Sequence, residues 1–210
     1  MSAMAMASMT NPVDQRAIYA SNIILSDEQQ AAFDLFKKGK NVFLSGPGGS
    51  GKSSLIKEMV NYCRDRGVRV DVCALTGCAA LLLEGCKAKT IHSWAGIGLA
   101  NGSIEETAKR LAKHKRKSEN WKAVHVLIVD EVSMMSKKLF QVLDRIGRKT
   151  RKCLDIPFGG MQVVFSGDFY QLPPVGNDME PETTEFCFES ENWNSTFGEV
   201  VELNTMFRQT

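Results

Sequence analysis

A glycine-rich run in the first quarter of the chain constrains its fold more than any other feature. Residues 46–53 read Gly-Pro-Gly-Gly-Ser-Gly-Lys-Ser, which matches the pattern G-x-x-x-x-G-K-[ST]. Glycines let successive backbone N–H groups turn inward around an anion, where a Cβ atom would obstruct them. A predicted strand over 42–44 precedes the run and a predicted helix follows it, which is the context in which the pattern cradles phosphates. The sequence therefore predicts a strand–loop–helix unit that binds a nucleoside triphosphate.

The positions of this phosphate cradle have distinct chemical roles. Lys52 places a mobile cation on the β and γ phosphates, and the hydroxyl of Ser53 is a ligand for Mg²⁺. The helix that follows presents its N-terminus to the same anion. The positions predicted to bind the nucleotide here are Gly46, Gly48, Gly49, Ser50, Gly51, Lys52, Ser53 and Ser54. Pro47 has no N–H but still permits the turn, so we expect it to leave the chemistry unchanged.

An apolar strand that ends in two acids supplies the second half of such a site. Residues 126–129 are Val-Leu-Ile-Val, and Asp130 and Glu131 follow them. A fully apolar strand is expected in the middle of a parallel sheet that is covered on both faces. Asp130 can hold the metal ion directly or through water, and Glu131 can polarise the attacking water. Acidic pairs after strands are common in loops, so this pair gains its weight from the cradle upstream.

Strand-like and helix-like segments alternate along the chain. The apolar pattern predicts helices that begin at Ser26, follow the cradle and cover 139–146, and strands over 68–75, 162–165 and 200–201. This alternation predicts an α/β domain with a mainly parallel sheet. Residues 1–22 are rich in Met, Ala and Ser, and we interpret them as a disordered leader or an expression scar. The domain is then expected to occupy residues 23–210.

Composition narrows the class of protein. No apolar run approaches the roughly 20 residues that span a bilayer, and the N-terminus has no signal-peptide pattern. We therefore expect an intracellular protein without a membrane partner, in a nucleus, mitochondrion or viral factory that the sequence does not distinguish. Six cysteines without a Cys-x-x-Cys pair indicate reduced, mostly buried thiols.

Charge is distributed unevenly along the chain. The residues before Asp155 have a net charge of +11, and the residues from Asp155 onward have a net charge of −9. This split favours a basic face that binds a polyanion, although solvated surface is the alternative.

Further motifs lie in a fixed order around the cradle and the acidic pair. They are Leu-Ser-Asp-Glu-Gln at 25–29, Thr-Gly at 76–77, a nine-residue block at 90–98, Ile-Val-Asp-Glu-Val-Ser-Met at 128–134, Gly-Asp-Phe-Tyr-Gln-Leu-Pro-Pro-Val at 167–175, and Phe-Arg-Gln at 207–209. Together they closely resemble the Pif-type (petite integration frequency) DNA helicases of superfamily 1. The resemblance covers residues 25–210, and it implies a RecA-like ATPase domain, the N-terminal motor domain of a 5′-to-3′ DNA helicase. ATP and Mg²⁺ would power its movement along single-stranded DNA.

The resemblance also implies roles for single residues of the ATPase site. Gln29 looks like the glutamine whose amide pairs with adenine, and Gln171 like the glutamine that contacts the γ-phosphate or the attacking water. Arg208 resembles the arginine that stabilises charge in the transition state. The candidate catalytic residues are therefore Lys52, Glu131, Gln171 and Arg208. The alternatives are an exposed helix position for Gln29 and an ordinary loop position for Gln171.

Five positions match the path of single-stranded DNA in the family: Thr76, Gly77, His92, Ser93 and Trp94. Hydroxyls and helix N-termini can hold phosphates, and a flat ring can pack on a base or sugar. The alternatives are a buried structural histidine at position 92 and a core aromatic at Trp94. Residues from 99 to about 122 correspond to the small wedge insertion of the family, where duplex strands separate. This region is rich in basic side chains, and a solvated helix face is its alternative interpretation: Lys109, Arg110, Lys113, Lys115, Arg116, Lys117 and Lys122.

The resemblance implies partners that lie outside these residues. They are single-stranded DNA, DNA junctions, folded G-rich (G-quadruplex) DNA and a second motor domain of the same full-length chain. That second domain is expected to begin after residue 210, so the 210 residues alone are expected to bind nucleotide, hydrolyse it feebly and not unwind DNA. Two other classes remain open, a nucleotide-dependent binding module and a metabolic P-loop kinase or transferase. The kinase class lacks support, because the chain shows neither an arginine-rich lid nor an acceptor-pocket motif.

Overall fold

The described part of the chain contains a six-stranded sheet in which all neighbouring strands are parallel. The computed structural model describes residues 24–98 and 102–207. Its strands are β1 (Val42–Ser45), β2 (Val70–Ala74), β3 (Lys89–Thr90), β4 (Val126–Asp130), β5 (Gln162–Gly167) and β6 (Glu199–Glu202). Their order across the sheet is β3-β2-β4-β5-β1-β6. The α/β fold with a mainly parallel sheet is therefore confirmed.

Most of the helices begin after a residue whose side chain caps the first turn. They are α1 (Asp27–Lys37), α2 (Lys52–Asp65), α3 (Gly77–Leu82), α4 (Ile91–Ala95), α5 (Ile104–Lys113), α6 (Lys115–Ala123), α7 (Lys137–Thr150) and α8 (Trp193–Thr196). At the start of α1 the Ser26 hydroxyl accepts the Gln29 N–H, while the Gln29 side chain accepts the Ser26 N–H. This reciprocal capping box satisfies two backbone donors at once. Within the described ranges, no helix is long and apolar enough to cross a membrane.

Hydrophobic cores lie on both faces of the sheet. Successive side chains of a strand point to opposite faces, and so Phe43 of β1 packs with α7 and Trp193, whereas Val42 and Leu44 pack with α1 and α2. Every residue of β4 is buried, as its apolar sequence predicts for a strand covered on both sides. The apolar stripe predicted for α2 is buried as well.

The described part of the basic insertion forms α5 and α6, which are anchored to the core. Trp121 of α6 is fully buried, and its indole N–H donates to the carbonyl of Ala95 at 3.3 Å. Glu105 of α5 accepts hydrogen bonds from Arg145 and Lys149 of α7. The two helices therefore have a fixed orientation relative to the sheet, and the basic side chains predicted in this region lie exposed on their outer face. Leu99, Ala100 and Asn101 lie outside the described residues.

The cysteines behave as the sequence predicts. All six are free thiols; Cys63, Cys73, Cys86 and Cys187 are buried, and only Cys78 is exposed. Burial raises the pKa of Cys63 to about 11 and raises that of Cys73 further. Such thiols are packing groups and not nucleophiles.

Candidate nucleotide site and DNA-facing edge

The phosphate cradle lies between β1 and α2, at the carboxyl edge of the sheet. Gly46, Gly49 and Gly51 have φ angles of 144°, 84° and 83°, which L side chains rarely adopt. Gly51 is the residue before the first turn of α2, which begins at Lys52. The Lys52 ammonium reaches back over the loop and donates to the carbonyls of Gly46 (2.6 Å) and Pro47 (2.9 Å). The loop thus has the open backbone, the helix N-terminus and the mobile cation that a phosphate chain requires.

The side chains of Ser50, Ser53 and Ser54 differ in exposure. Ser50 is buried, and its hydroxyl donates to the Pro47 carbonyl at 2.8 Å, so it closes the loop from inside. Ser53 and Ser54 are exposed in the first turn of α2. A ligand can therefore reach the hydroxyl of Ser53, whereas the hydroxyl of Ser50 is buried and stabilises the loop.

Asp130 faces the cradle from the end of β4. Strands β4 and β1 both pair with β5, so their carboxyl ends share one edge. Asp130 is 6% exposed, and burial raises its pKa, which the Ser166 hydroxyl, the Glu131 backbone and the Lys52 charge counteract. The Ser166 hydroxyl is buried and lies close enough to Asp130 to lower its pKa, but within the described residues it has no hydrogen-bond partner of good geometry. A buried carboxylate beside an unsatisfied hydroxyl favours a bound cation, so Asp130 and Ser53 fit a magnesium site.

Glu131 occupies a strained backbone position next to Asp130. Its φ of 58° and ψ of 41° are left-handed, which is uncommon for a non-glycine residue. Burial raises its pKa first, the charges of Asp130 and Asp168 raise it further, and Lys52 lowers it. A carboxylate with a raised pKa beside the phosphate cradle suits a general base. Lys52 follows β1, and the two acids lie at the end of β4. Because both strands pair with β5, the lysine and the acids lie at the same edge of the sheet, and the Lys52 charge lowers the pKa of both acids.

Gln171 lies in the loop after β5, and Asp168 orients its amide. The Gln171 amide nitrogen donates to one oxygen of Asp168 at 3.0 Å, and the Tyr170 backbone N–H donates to the other at 3.1 Å. Gln171 is exposed, and its contact with the γ-phosphate stays a prediction. The charge of Asp168 also reaches Glu131, so this loop and the candidate base are electrostatic neighbours.

Gln29 is buried against the cradle. It is 2% exposed, its amide nitrogen donates to the Gly51 carbonyl at 3.3 Å, and its oxygen caps α1. The alternative of an exposed helix glutamine is therefore wrong. The contact of Gln29 with adenine stays a prediction. It would use the second N–H and the second oxygen lone pair of the Gln29 amide, because the first of each already binds Gly51 and Ser26.

The segment after β6, residues 203–207, is a part of the site that sequence reasoning missed. The backbone N–H of Phe207 donates to the Gly49 carbonyl at 3.1 Å. A Cβ atom on Gly51 would lie 2.9 Å from the Phe207 ring. The Phe-Arg-Gln motif at 207–209 is the sequence signal for this segment, and the resemblance assigns a role only to its arginine. Arg208 itself lies outside the described residues.

The predicted DNA-contacting residues lie along the ends of β2 and β3, at the same edge of the sheet. The Thr76 hydroxyl caps α3 by accepting the Ala79 N–H at 3.1 Å, and Gly77 and Ser93 are exposed. His92 is half-buried, and burial lowers its pKa. It lines a cavity of about 460 Å³ together with Leu75 and Val175. His92 is therefore neither fully buried nor freely solvated, and its contact with DNA stays a prediction.

Trp94 is a core residue, so the prediction that it contacts DNA is wrong. Its side chain is 3% exposed, its ring centroid lies 4.7 Å from that of Trp121, and its indole N–H donates to Asp71 at 2.8 Å. Both the ring and its polar edge are engaged, which leaves no face for a base. The alternative of a core aromatic is confirmed.

Known proteins share these features over most of the chain. A family model described as "PIF1-like helicase" matches residues 24–210. The chain is 41% identical to the ATP-dependent DNA helicase PIF1 of Saccharomyces cerevisiae over 189 residues, which is 89% of this chain and 21% of that protein. It thus spans about a fifth of the length of that relative.

Solved structures agree in fold. The crystal structure of Pif1 helicase from Candida albicans matches with a TM-score of 0.78 and 38% identity, over 89% of this chain and 41% of that chain. Pif1 helicase from Bacteroides, solved in complex with ADP-AlF3 and ssDNA, matches with a TM-score of 0.72 and 33% identity, over 90% and 44% of the respective chains. The sheet and its carboxyl edge therefore have the arrangement of RecA-like helicase domains.

Proposed function

The chain belongs to the PIF1-like helicase family, and from this premise we propose that it is the ATP-binding and ATP-hydrolysing motor domain of a DNA helicase. The observation that carries the proposal is that Lys52, at the start of the helix after β1, and Asp130 and Glu131, at the end of β4, lie at the same edge of the sheet beside the cradle. The same three side chain types serve nucleotide hydrolysis in P-loop proteins generally. Relatives named ATP-dependent DNA helicases support the choice of ATP and DNA as ligands.

We propose the following division of labour in the ATPase site. Backbone N–H groups of the cradle and the Lys52 ammonium hold the phosphates, and Glu131 accepts a proton from the attacking water. Ser53 and Asp130 would hold a magnesium ion, which would supply neutralisation of phosphate charge. Gln171 orients the water or the γ-phosphate, while Arg208 stabilises the negative charge that develops there. Gln29 selects adenine by pairing with its edge.

DNA is proposed to cross the same carboxyl edge of the sheet, at the ends of β2 and β3. Thr76, Gly77, Ser93 and His92 lie there, and the solved Bacteroides relative contains ssDNA. The exposed cations of α5 and α6 would extend this surface toward a junction, as the wedge assignment implies. Movement in the 5′-to-3′ direction on single-stranded DNA, and action on G-quadruplex DNA, are part of this proposal. We also propose that the 210 residues alone bind nucleotide without unwinding, because the solved helicases that they match are more than twice as long.

Nucleotide binding is the first test, with Lys57 as a matched control for Lys52. Both lysines belong to α2, but Lys57 lies away from the cradle, in a groove beside Cys86. Replacing Lys52 by Ala is expected to weaken binding of a fluorescent ATP analogue by roughly 10- to 100-fold, because it removes charge-assisted hydrogen bonds. Lys57→Ala is expected to bind like the wild type. Equal affinities of the two variants would contradict the assignment of the cradle.

DNA binding is the second test. If α5 and α6 contact phosphates, the triple variant Lys109→Ala, Arg110→Ala, Lys113→Ala should reduce the dependence of single-stranded DNA affinity on salt. The slope of log affinity against log salt should fall by about 0.7 for each phosphate contact that is lost. An unchanged slope would assign these side chains to solvated surface. Binding of ATP without any stimulation of its hydrolysis by DNA, in a chain extended beyond residue 210, would favour the binding-module alternative.

A further inference from the structure

The segment after β6, residues 203–207, forms the outer wall of the phosphate cradle. Its first residue continues the β1–β6 pairing, since the Leu203 N–H donates to the Ser45 carbonyl at 2.9 Å. Its last residue is fastened to the loop by the hydrogen bond from the Phe207 N–H to the Gly49 carbonyl. Between these two points the segment runs past the whole glycine-rich loop.

The glycines of the cradle make room for this segment. A Cβ atom on Gly46 would lie 2.5 Å from the Leu203 carbonyl oxygen, and one on Gly51 would lie 2.9 Å from the Phe207 ring. A Cβ atom on Gly49 would lie 3.4 Å from the terminal methyl group of Met206. The conformation of the loop therefore depends on the position of the segment as well as on its own sequence.

One side chain outside the loop holds the segment in place. A single carboxylate oxygen of Glu28 accepts the backbone N–H groups of Asn204 (2.9 Å) and Thr205 (3.1 Å). Glu28 lies in the first turn of α1, and its neighbour Gln29 donates to the Gly51 carbonyl. The first turn of α1 thus contacts the cradle in two ways. Gln29 binds it directly, and Glu28 binds residues 203–207, which lie against it. Hydrogen bonds to a carboxylate are about twice as strong as those between neutral groups.

We infer that Glu28 is a positioning residue of the nucleotide site, which keeps residues 203–207 against the cradle and so holds the cradle in its binding conformation. Without this contact the segment can leave the loop, and the cradle must be ordered again when nucleotide binds. Affinity then falls by the cost of that ordering. The inference rests on the proposed function, because it assumes that the cradle binds nucleotide.

Asp27 provides a matched control for Glu28. Both acids lie in the first turn of α1, where either one stabilises the helix through its dipole. Of these two acids, Glu28 is the one that accepts hydrogen bonds from residues 203–207. A role limited to helix stability therefore predicts the same behaviour for Asp27→Ala and Glu28→Ala, whereas a positioning role separates them. Glu28→Gln keeps an oxygen that can accept both N–H groups but loses the charge, so it should lie between Glu28→Ala and the wild type.

The experiment measures nucleotide affinity and local amide exchange in the 210-residue chain. With fluorescent ADP and a non-hydrolysable ATP analogue, Glu28→Ala should weaken binding about tenfold, and Asp27→Ala by less than about twofold. Amide hydrogen exchange at Asn204 and Thr205 should speed up in Glu28→Ala alone. The inference is overturned if Glu28→Ala binds nucleotide as Asp27→Ala does, or if the two amides exchange at the wild-type rate.

The wild type and Lys52→Ala separate this inference from the proposed function. If the wild type binds no nucleotide, or binds it equally well without Lys52, the proposed function fails. If binding depends on Lys52 but is indifferent to Glu28, only the positioning role fails.

Discussion

Replacing Trp121 by Ala tests whether the basic insertion is part of the core. Trp121 is fully buried against the Trp94 ring of α4, and its indole N–H donates to the Ala95 carbonyl. Loss of a buried tryptophan side chain costs about 3–5 kcal/mol, and the unpaired Ala95 carbonyl adds about 1 kcal/mol. In a domain of this size each kcal/mol lowers Tm by about 2–4 °C. We therefore expect thermal unfolding followed by circular dichroism to show a Tm lower by about 10–20 °C.

Two further variants separate the causes of that loss. Trp121→Phe keeps most of the ring volume but removes the N–H, so it should cost about 1–3 kcal/mol. Lys122→Ala changes the exposed neighbour and should leave Tm within about 2 °C of the wild type. If Trp121→Ala also unfolds within about 3 °C of the wild type, α6 is not anchored as described. The reasoning that fixes the cations of α5 and α6 relative to the sheet would then be wrong.

Three other predictions follow from buried or strained groups. Asp144 is 2% exposed and accepts hydrogen bonds from Arg148, from the Phe158 N–H and from Asn192. Asp144→Ala should therefore lower the free energy of unfolding, measured by urea titration, by about 3–5 kcal/mol. A loss below about 1 kcal/mol would contradict this prediction. Glu131→Asn should raise that free energy by roughly 1 kcal/mol, because Asn tolerates a positive φ, and abolish ATP hydrolysis. Glu131→Gln should lose hydrolysis too, but keep the backbone strain, so equal stabilities of the two variants would refute the argument. Burial lowers the pKa of His92 below its usual 6.5. As pH falls below about 6.5 the unfolded state is therefore protonated first, and stability is lost. Between pH 7 and pH 5 the Tm of His92→Asn should fall less than that of the wild type, and identical falls would exclude the effect.

The arrangement of the candidate nucleotide site could be predicted because its signals are local. The cradle is a contiguous run between a strand and a helix, and Asp130 and Glu131 follow the most apolar strand of the chain. Parallel strands bring their carboxyl ends to one edge, so the two halves of the site meet without further information. Local patterns likewise predicted the buried stripe of α2 and the start of α1 at Ser26, whereas the Gln29 half of its capping box was not predicted.

Contacts between distant residues could not be predicted in this way. The burial of Trp94 depends on its contacts with Trp121 of α6 and Asp71 of β2. The sequence pattern of α6 indicated only its basic charge. The contact of Glu28 with Asn204 joins residues separated by 176 positions. Neither pair produces a periodic pattern, because each depends on which surfaces the finished sheet brings together.

The left-handed backbone at Glu131 has a consequence for protein engineering. Under the proposed function, the residue that best suits the backbone and the residue that serves hydrolysis differ at this position, since Asn or Gly tolerates the left-handed conformation whereas a carboxylate is needed to activate the water. A screen that ranks variants by heat resistance alone would favour replacement of Glu131 among its first choices. Under the proposed function, the selected variants would have a higher Tm and would bind nucleotide, but they would no longer hydrolyse it.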